Sequence, residues 1–543
     1  MNNNKAARIL NFVFSFLFTS TFLFLLYQII IKGYQYNEEI NTYRCTHEEY
    51  IIIIVSAFVL SIIFAAVYYA IMLYNSTKIR RRITDNDQLT KRIIFAVVAV
   101  MLILQMFCAY FLVCTPVTDL DFINRYARDF AYTGNFDLIQ KDASIGSVYM
   151  IRYPNNLALM FIISFIYRID YLITGYISNY IASIFNTVSI NASVLMTALL
   201  VRRIFGNKRA LMTLFLCVLF VPFYTFTPYY YTDSVSIPFF TGSLYLFFAG
   251  QKSDTKFKKY VLTALSGVVI MLGYKIKASV LILLAVLLIY MLLKCSLKRF
   301  ACFALALIIG FGGTFAVYTA AYRASGIITK EQEYLYEYPF THWIMMGLKG
   351  YGHYNTIDSD YTESYMGKDA KTKANLEIIQ GRIEKRKNRT DGVDDMLTHL
   401  EQKAVWTWED GTYYIAHHIE NPLYGRNILH EFVLNNGIYH FGYYTYCCGY
   451  QLFLIAMMAV SAFGAMFRRR VDEHVVFRGV VFAIFVFLLI WETRSRYLYN
   501  FTPAFIILAV DGLATIKDGL DFIISKIKAG SDANKKHRYR YLR

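Results

Sequence analysis

Asp119 and Asp121 stand two residues apart in TPVTDLDFINRYARDF (115–130), close behind the apolar run IIFAVVAVMLILQMFCAYFLVC. Three further groups of ionisable residues sit at the ends of apolar runs: Asp233 in TPYYYTDSVSIP, Lys275 and Lys277 in GYKIKAS, and Glu492, Arg494 and Arg496 in WETRSRYLYNFTP. Taken singly, each could mark a helix end, with lysines and arginines reaching for the membrane–water boundary. Taken together they mean more, because charge beside hydrocarbon is costly and is kept where it is paired, hydrated or used. Carboxylates and cations on one face make an acid/base site beside an anion site. Transfer of a sugar from a lipid phosphate to a hydroxyl uses both. A carboxylate takes the hydroxyl's proton as it attacks, and fixed Lys or Arg donors stabilise the charge gathering on the leaving phosphate. Such a donor keeps its apolar tail in the bilayer, and the sequence shows no nucleotide-binding motif.

The elements that must position these residues are membrane helices. The chain has 543 residues, 57% of them hydrophobic and 17% aromatic, with a mean hydropathy of +0.38. Its apolar residues fall in continuous runs long enough to cross a bilayer, which takes about 20 residues of helix, and continuity rather than alternation argues for helices over a barrel. The fold class expected is an all-α polytopic membrane protein. The net charge of +17 gathers in TKIRRRI (77–83), VRRIFGNKR (201–209), KFKK (256–259), FRRR (467–470) and KKHRYRYLR at the end. Basic loops of this kind mark the cytoplasmic side and can meet anionic lipid headgroups, so a nucleic-acid partner is rejected.

With those loops inside, helix 1 (about 8–31) leads to an outer loop bearing Glu38, Glu39, Glu48 and Glu49. Helices at about 49–73 and 92–114 then bring Asp119 and Asp121 to the outer face. Parity of the basic loops predicts that one of the two runs between 157 and 200, at 157–172, is short, re-entrant or interfacial. Further helices are expected at about 210–227, 234–250, 260–274, 278–293, 300–321, 449–467, 475–491 and 497–515. The resulting organisation is two additional N-terminal helices (1–91), a core (92–321) with a first external loop (115–156), an extracytoplasmic domain (322–447), closing helices (448–515) and a basic tail (516–543). Both termini then lie in the cytoplasm and the protein in a plasma membrane.

The external segment contains His342, His353, His417, His418, His430 and His440, but without metal-site spacing a zinc site is disfavoured. Trp343, Trp406 and Trp408 could stack on sugars or anchor at the membrane interface. The run 371–403 places Leu376, Ile379 and Ile383 at helical spacing among charges and reads as a solvated helix on a domain surface. None of the eight cysteines has zinc-ligand spacing, and the vicinal Cys447 and Cys448 read as small buried residues.

TDLDF (118–122), RYPNN (152–156), RRIFGNKR (202–209), YYTDSVSIPF (230–239), GYKIKAS (273–279) and RSRYLYNFTP (494–503) resemble the GT-C superfamily of membrane glycosyltransferases. That group includes protein O-mannosyltransferases and aminoarabinose transferases. YPFTHWIMMGLKGYGHYN (338–355) and WTWEDGTYY (406–414) are similar to a multi-spanning branch from Gram-positive bacteria. The resemblance implies a GT-C-like bundle of about 12–13 transmembrane helices with an extracytoplasmic domain. It implies an inverting, general-base transfer of sugar from a polyprenyl-phosphate donor to an envelope glycan, lipid or protein. Asp119 then matches the catalytic base, with Asp121 its competitor. Lys277 and Arg496 match phosphate contacts, and Asp233 an acidic residue of the second external loop. Tyr153, Lys275, Glu492, Arg494 and His342 complete the substrate-binding candidates. No cofactor is required; Asp119, Asp121 and Asp233 could together hold a divalent metal. The alternatives are a glycan polymerase or ligase, and a lipid-linked-sugar flippase or transporter.

Overall fold

The computed structural model describes residues 5–40, 45–73, 86–389, 392–468 and 471–540, and the backbone alone at 5, 36–40, 73 and 528–540. The TKIRRRI loop, two arginines of FRRR and the side chains of Glu38 and Glu39 therefore lie outside the described residues. Among the described residues the regular elements are helical, and the one extended pairing is an isolated bridge between Cys114 and Pro422.

Helices α1 (Lys5–Ile40), α2 (His47–Leu73) and α3 (Asp87–Phe111) follow the first three apolar runs. A loop with α4 (Asp119–Thr133) and α5 (Asp137–Ser144) leads to α6 (Leu157–Thr174) and α7 (Ile181–Phe205). Then come α8 (Asn207–Leu219), α9 (Ile237–Gln251), α10 (Lys256–Ile276), α11 (Ile282–Lys294) and α12 (Leu297–Ser325). Five helices follow in the polar segment: α13 (Lys330–Tyr336), α14 (Thr341–Gly347), α15 (Thr356–Glu363), α16 (Lys368–Asn388) and α17 (Met396–Trp408). The chain closes with α18 (His440–Met466), α19 (His474–Ile490) and α20 (Thr502–Arg540). Nine helices among the described residues are long and apolar enough to cross a membrane, and two more apolar helices are shorter.

Three expectations change. The run at 157–172 is not short: Pro154–Thr174 is a 21-residue apolar helical stretch. Shorter pieces instead include α8 and α9, with 13 and 15 residues. At 1.5 Å per residue they rise only about 20 Å, less than the roughly 30 Å hydrocarbon core. The reason is local. Pro222, Pro228 and Pro238 break the aromatic run FYTFTPYYY and its flanks into single turns, Pro222–Thr225 and Thr232–Val235. Backbone without long helix is tolerated within a bilayer only when protein encloses it, and residues 220–236 are almost entirely buried in the protein. Finally, the run 371–403 is two helices. Of the three apolar residues singled out in α16, Leu376 and Ile383 are exposed and Ile379 is buried, whereas α17 is an inner helix that buries Lys403 through Trp408.

Small residues allow the closest approaches. A Cβ on Gly267 of α10 would lie 2.2 Å from the Leu307 carbonyl of α12, and one on Gly310 of α12 would lie 1.9 Å from the Ala264 carbonyl of α10. These two helices therefore meet backbone to backbone, as small residues permit in membrane bundles. The first two helices pack onto α18, and Phe22 of α1 meets Trp408 edge to face at 5.3 Å.

A candidate active site between Asp119 and Arg496

Asp119 opens α4, and the residue before it is strained: Thr118 has φ 53° and ψ −130°, a region that β-branched residues rarely enter. The approach to this turn is pinned by two backbone bonds, Thr115 N to the Asn421 carbonyl at 2.9 Å and Leu423 N to the Val113 carbonyl at 3.0 Å. The Asp119 carboxylate faces a cavity of about 1160 Å³. Tyr149 donates its hydroxyl to Oδ1 at 2.6 Å and Tyr231 to Oδ2 at 3.0 Å. Asn156, from RYPNN, orders both phenols: its Nδ2 donates to the Tyr149 oxygen at 2.9 Å, and its Oδ1 accepts from Tyr231 at 3.2 Å. Burial, then Asp119 itself, pushes the Tyr149 phenol well above its ordinary pKa, so it remains a donor. Each carboxylate oxygen keeps a further lone pair for substrate.

Asp121 does not share this site. Residues two apart on a helix point about 200° away from each other, and Asp121 is exposed and absent from the cavity lining. The set Asp119, Asp121 and Asp233 is thus not assembled, and among the described residues no group of three His, Cys, Asp or Glu side chains converges to hold a metal.

Asp233 is not on an open turn but fully buried, between the two short helices α8 and α9. Lys277, at the end of α10, pairs with its Oδ1. Its Oδ2 lies 3.7 Å from Arg496 Nη1 and accepts no hydrogen bond. The other arm of Arg496, Nη2, lies 3.9 Å from Asp119 Oδ2, so one guanidinium stands between both carboxylates. Arg496 Nη1 donates to the Tyr229 hydroxyl at 2.8 Å, while its buried Nε has no partner. The cations also lie over aromatic faces: Arg496 at 5.1 Å from the Tyr231 centroid and Lys277 at 4.9 Å from that of Tyr497. Two cations oriented by Asp233, one with an unspent N–H, form an anion station beside the Asp119 carboxylate.

Most of the other candidates line the same cavity. Glu492 accepts from the Tyr497 hydroxyl at 3.1 and 3.0 Å, and burial pushes its carboxyl above the usual range. Arg494 lies over Tyr414 at 4.4 Å. Lys275 sits among Phe315 at 4.7 Å and Tyr318 at 4.8 Å, and Tyr153 packs at 5.0 Å from Tyr149. His342 is the exception. It is buried away from the cavity, bonded through Nδ1 to Thr362 Oγ1 at 2.7 Å, and burial lowers its pKa to about 3. It holds α14 against α15. The reading of single residues missed Tyr149, Asn156, Tyr229, Tyr231 and His418; for the first four, position in or beside the quoted motifs was the available signal. One flank of the cavity is apolar, with Ile484, Phe487 and Leu488 of α19 and Phe315 of α12.

A multi-spanning helical bundle enclosing a carboxylate and an anion station defines a membrane protein with a built ligand site. The chain belongs to the family described as conserved hypothetical integral membrane protein, whose model matches residues 3–514. No curated protein matches. Among solved structures, ArnT from Cupriavidus metallidurans bound to undecaprenyl phosphate is similar at 12% identity, with 77% of each chain covered and a TM-score of 0.32.

Proposed function

We propose that this protein is a GT-C-type membrane glycosyltransferase. It moves a sugar from a polyprenyl-phosphate donor to an acceptor of the cell envelope, working at the outer face. The observation that supports this best is that Arg496 stands between Asp119 and the Asp233–Lys277 pair, with Asp119, Lys277 and Arg496 on the wall of one cavity and Asp233 buried behind them. In this reading Lys277 and Arg496 hold the lipid phosphate, and the apolar flank of α12 and α19 receives the start of the polyprenyl chain. An acceptor hydroxyl attacks the anomeric carbon and gives its proton to Asp119. The new carbon–oxygen bond forms as the bond to the phosphate oxygen breaks, and the electron pair leaves with the phosphate. Tyr149 and Tyr231 fix the carboxylate so that little reorganisation is needed when the proton arrives. The anomeric centre inverts, because attack and departure take opposite faces. Mass spectrometry of lipid extracts tests the reading. A deletion strain is expected to accumulate one polyprenyl-phosphate-linked sugar while its envelope loses that same sugar. An unchanged lipid pool with an unchanged envelope would refute it.

A further inference from the structure

The cavity wall contributed by residues 413–418 is built with care that the transfer chemistry above does not use. Tyr413 and Tyr414 both have positive φ, 56° and 61°, a strained backbone for residues with a Cβ. Asp410 holds this turn, accepting from the backbone N–H groups of Thr412 and Tyr414 at 2.8 Å. It also accepts from Ser495 Oγ at 2.7 Å, which ties the turn to the loop carrying Arg494 and Arg496. One helical turn, Ile415–His418, then delivers His417 and His418 to the cavity lining.

His418 is 4% exposed, and its ring stacks on Tyr229 with centroids 4.2 Å apart. Neither Nδ1 nor Nε2 has a hydrogen-bond partner. A neutral imidazole always carries one N–H and one lone pair, and leaving buried polar groups unmet is destabilising. Stacking on Tyr229 alone would be served as well by phenylalanine, without that cost. The unmet nitrogens therefore point to a ligand. Burial first, then Arg496, His417 and Arg494, hold the imidazole well below its usual pKa. A ring kept neutral in this way is a poor base, and it suits a partner that is itself neutral and both donates and accepts. A sugar hydroxyl has those properties, and Arg496, bonded to Tyr229 at 2.8 Å, places the phosphate station one ring away.

We infer that His418 is a substrate-binding residue that hydrogen-bonds a hydroxyl of the bound saccharide; this rests on the transfer reading. Two measurements on His418→Phe test it, because phenylalanine keeps the stack and removes both nitrogens. In the host, the transferred sugar in the envelope should fall at least tenfold, as in the deletion strain. With the purified full-length protein in detergent, undecaprenyl phosphate should bind within twofold of wild type, which also shows that the variant is folded. His418→Gln, which retains a donor and an acceptor, should keep more of the sugar than His418→Phe. A His418→Phe strain with the wild-type sugar content would overturn the inference. So would a tenfold loss of undecaprenyl phosphate binding, since His418 would then act through Tyr229 on Arg496. If neither the deletion nor Asp119→Asn alters any envelope sugar, the transfer reading falls first and carries this one with it.

Discussion

Replacing Lys277 with methionine should have two separable consequences. Asp233 is fully buried, Lys277 pairs with its Oδ1, and the nearest other cation, Arg496, is 3.7 Å from Oδ2 without a hydrogen bond. Lys277→Met therefore strands a buried carboxylate, and removing one partner of such a pair costs about 3–5 kcal/mol. Asp233→Asn should cost a similar amount, because two cations then face each other without their counter-ion. The double variant removes both charges and should recover more than half of the loss, which a thermal unfolding cycle in detergent measures directly. Phosphate affinity should not recover. A charge-assisted hydrogen bond contributes about 1.5–3 kcal/mol, so undecaprenyl phosphate should bind about 10- to 150-fold more weakly in both Lys277 variants. A double variant no more stable than Lys277→Met would refute the coupled pair. One that binds undecaprenyl phosphate as wild type does would refute Lys277 as a phosphate contact.

Further tests reach other parts of the account. Asp121→Asn should leave envelope sugar unchanged and shift stability by no more than about 0.5 kcal/mol, as exposed positions usually do. His342 has a folded pKa of about 3 against an ordinary 6.5, so the unfolded chain binds its proton more readily. Stability from this group is then complete above pH 6.5 and falls as pH drops toward 3, by about 1.4 kcal/mol per pH unit at most. His342→Asn should flatten that slope in thermal unfolding measured from pH 7 to 4. Gly310→Ala would set a methyl 1.9 Å from the Ala264 carbonyl; prising α10 from α12 should cost about 1–3 kcal/mol and weaken undecaprenyl phosphate binding, since α10 carries Lys277. Equal stability of this variant would contradict the backbone-to-backbone contact.

The helices were legible because long apolar runs admit little else in a membrane. Runs such as 49–73 and 475–491 fall within two residues of α2 and α19. Hydropathy carried the helix expected at about 210–227 through FVPFYTFT, where Pro222 and Pro228 instead wind the chain into turns. That error hid the depth of Asp233. Asp119 and Asp121 could not be separated by composition, because the separation depends on where α4 begins, and a strained Thr118 sets that start. Charge at helix ends singled out Lys277 and Arg496, which the structure brings together around Asp233. Tyr149, Tyr229 and Tyr231 were not singled out, because among 46 tyrosines only their place in or beside the quoted motifs marks them, and for His418, one of 10 histidines, three-dimensional placement alone does.

The central claim is that the Asp119 carboxylate takes the acceptor's proton, and Asp119→Asn in the native host tests it most directly. Asparagine keeps the size; its oxygen can accept from Tyr149 while its NH2 donates to the Tyr231 oxygen, whose hydroxyl turns to Asn156 Oδ1, but it cannot serve as a base at neutral pH. At wild-type membrane levels, with undecaprenyl phosphate binding retained, Asp119→Asn should lose the same envelope sugar as the deletion strain and accumulate the same lipid-linked sugar. Wild-type sugar content in the Asp119→Asn strain, with the deletion strain deficient, would contradict it.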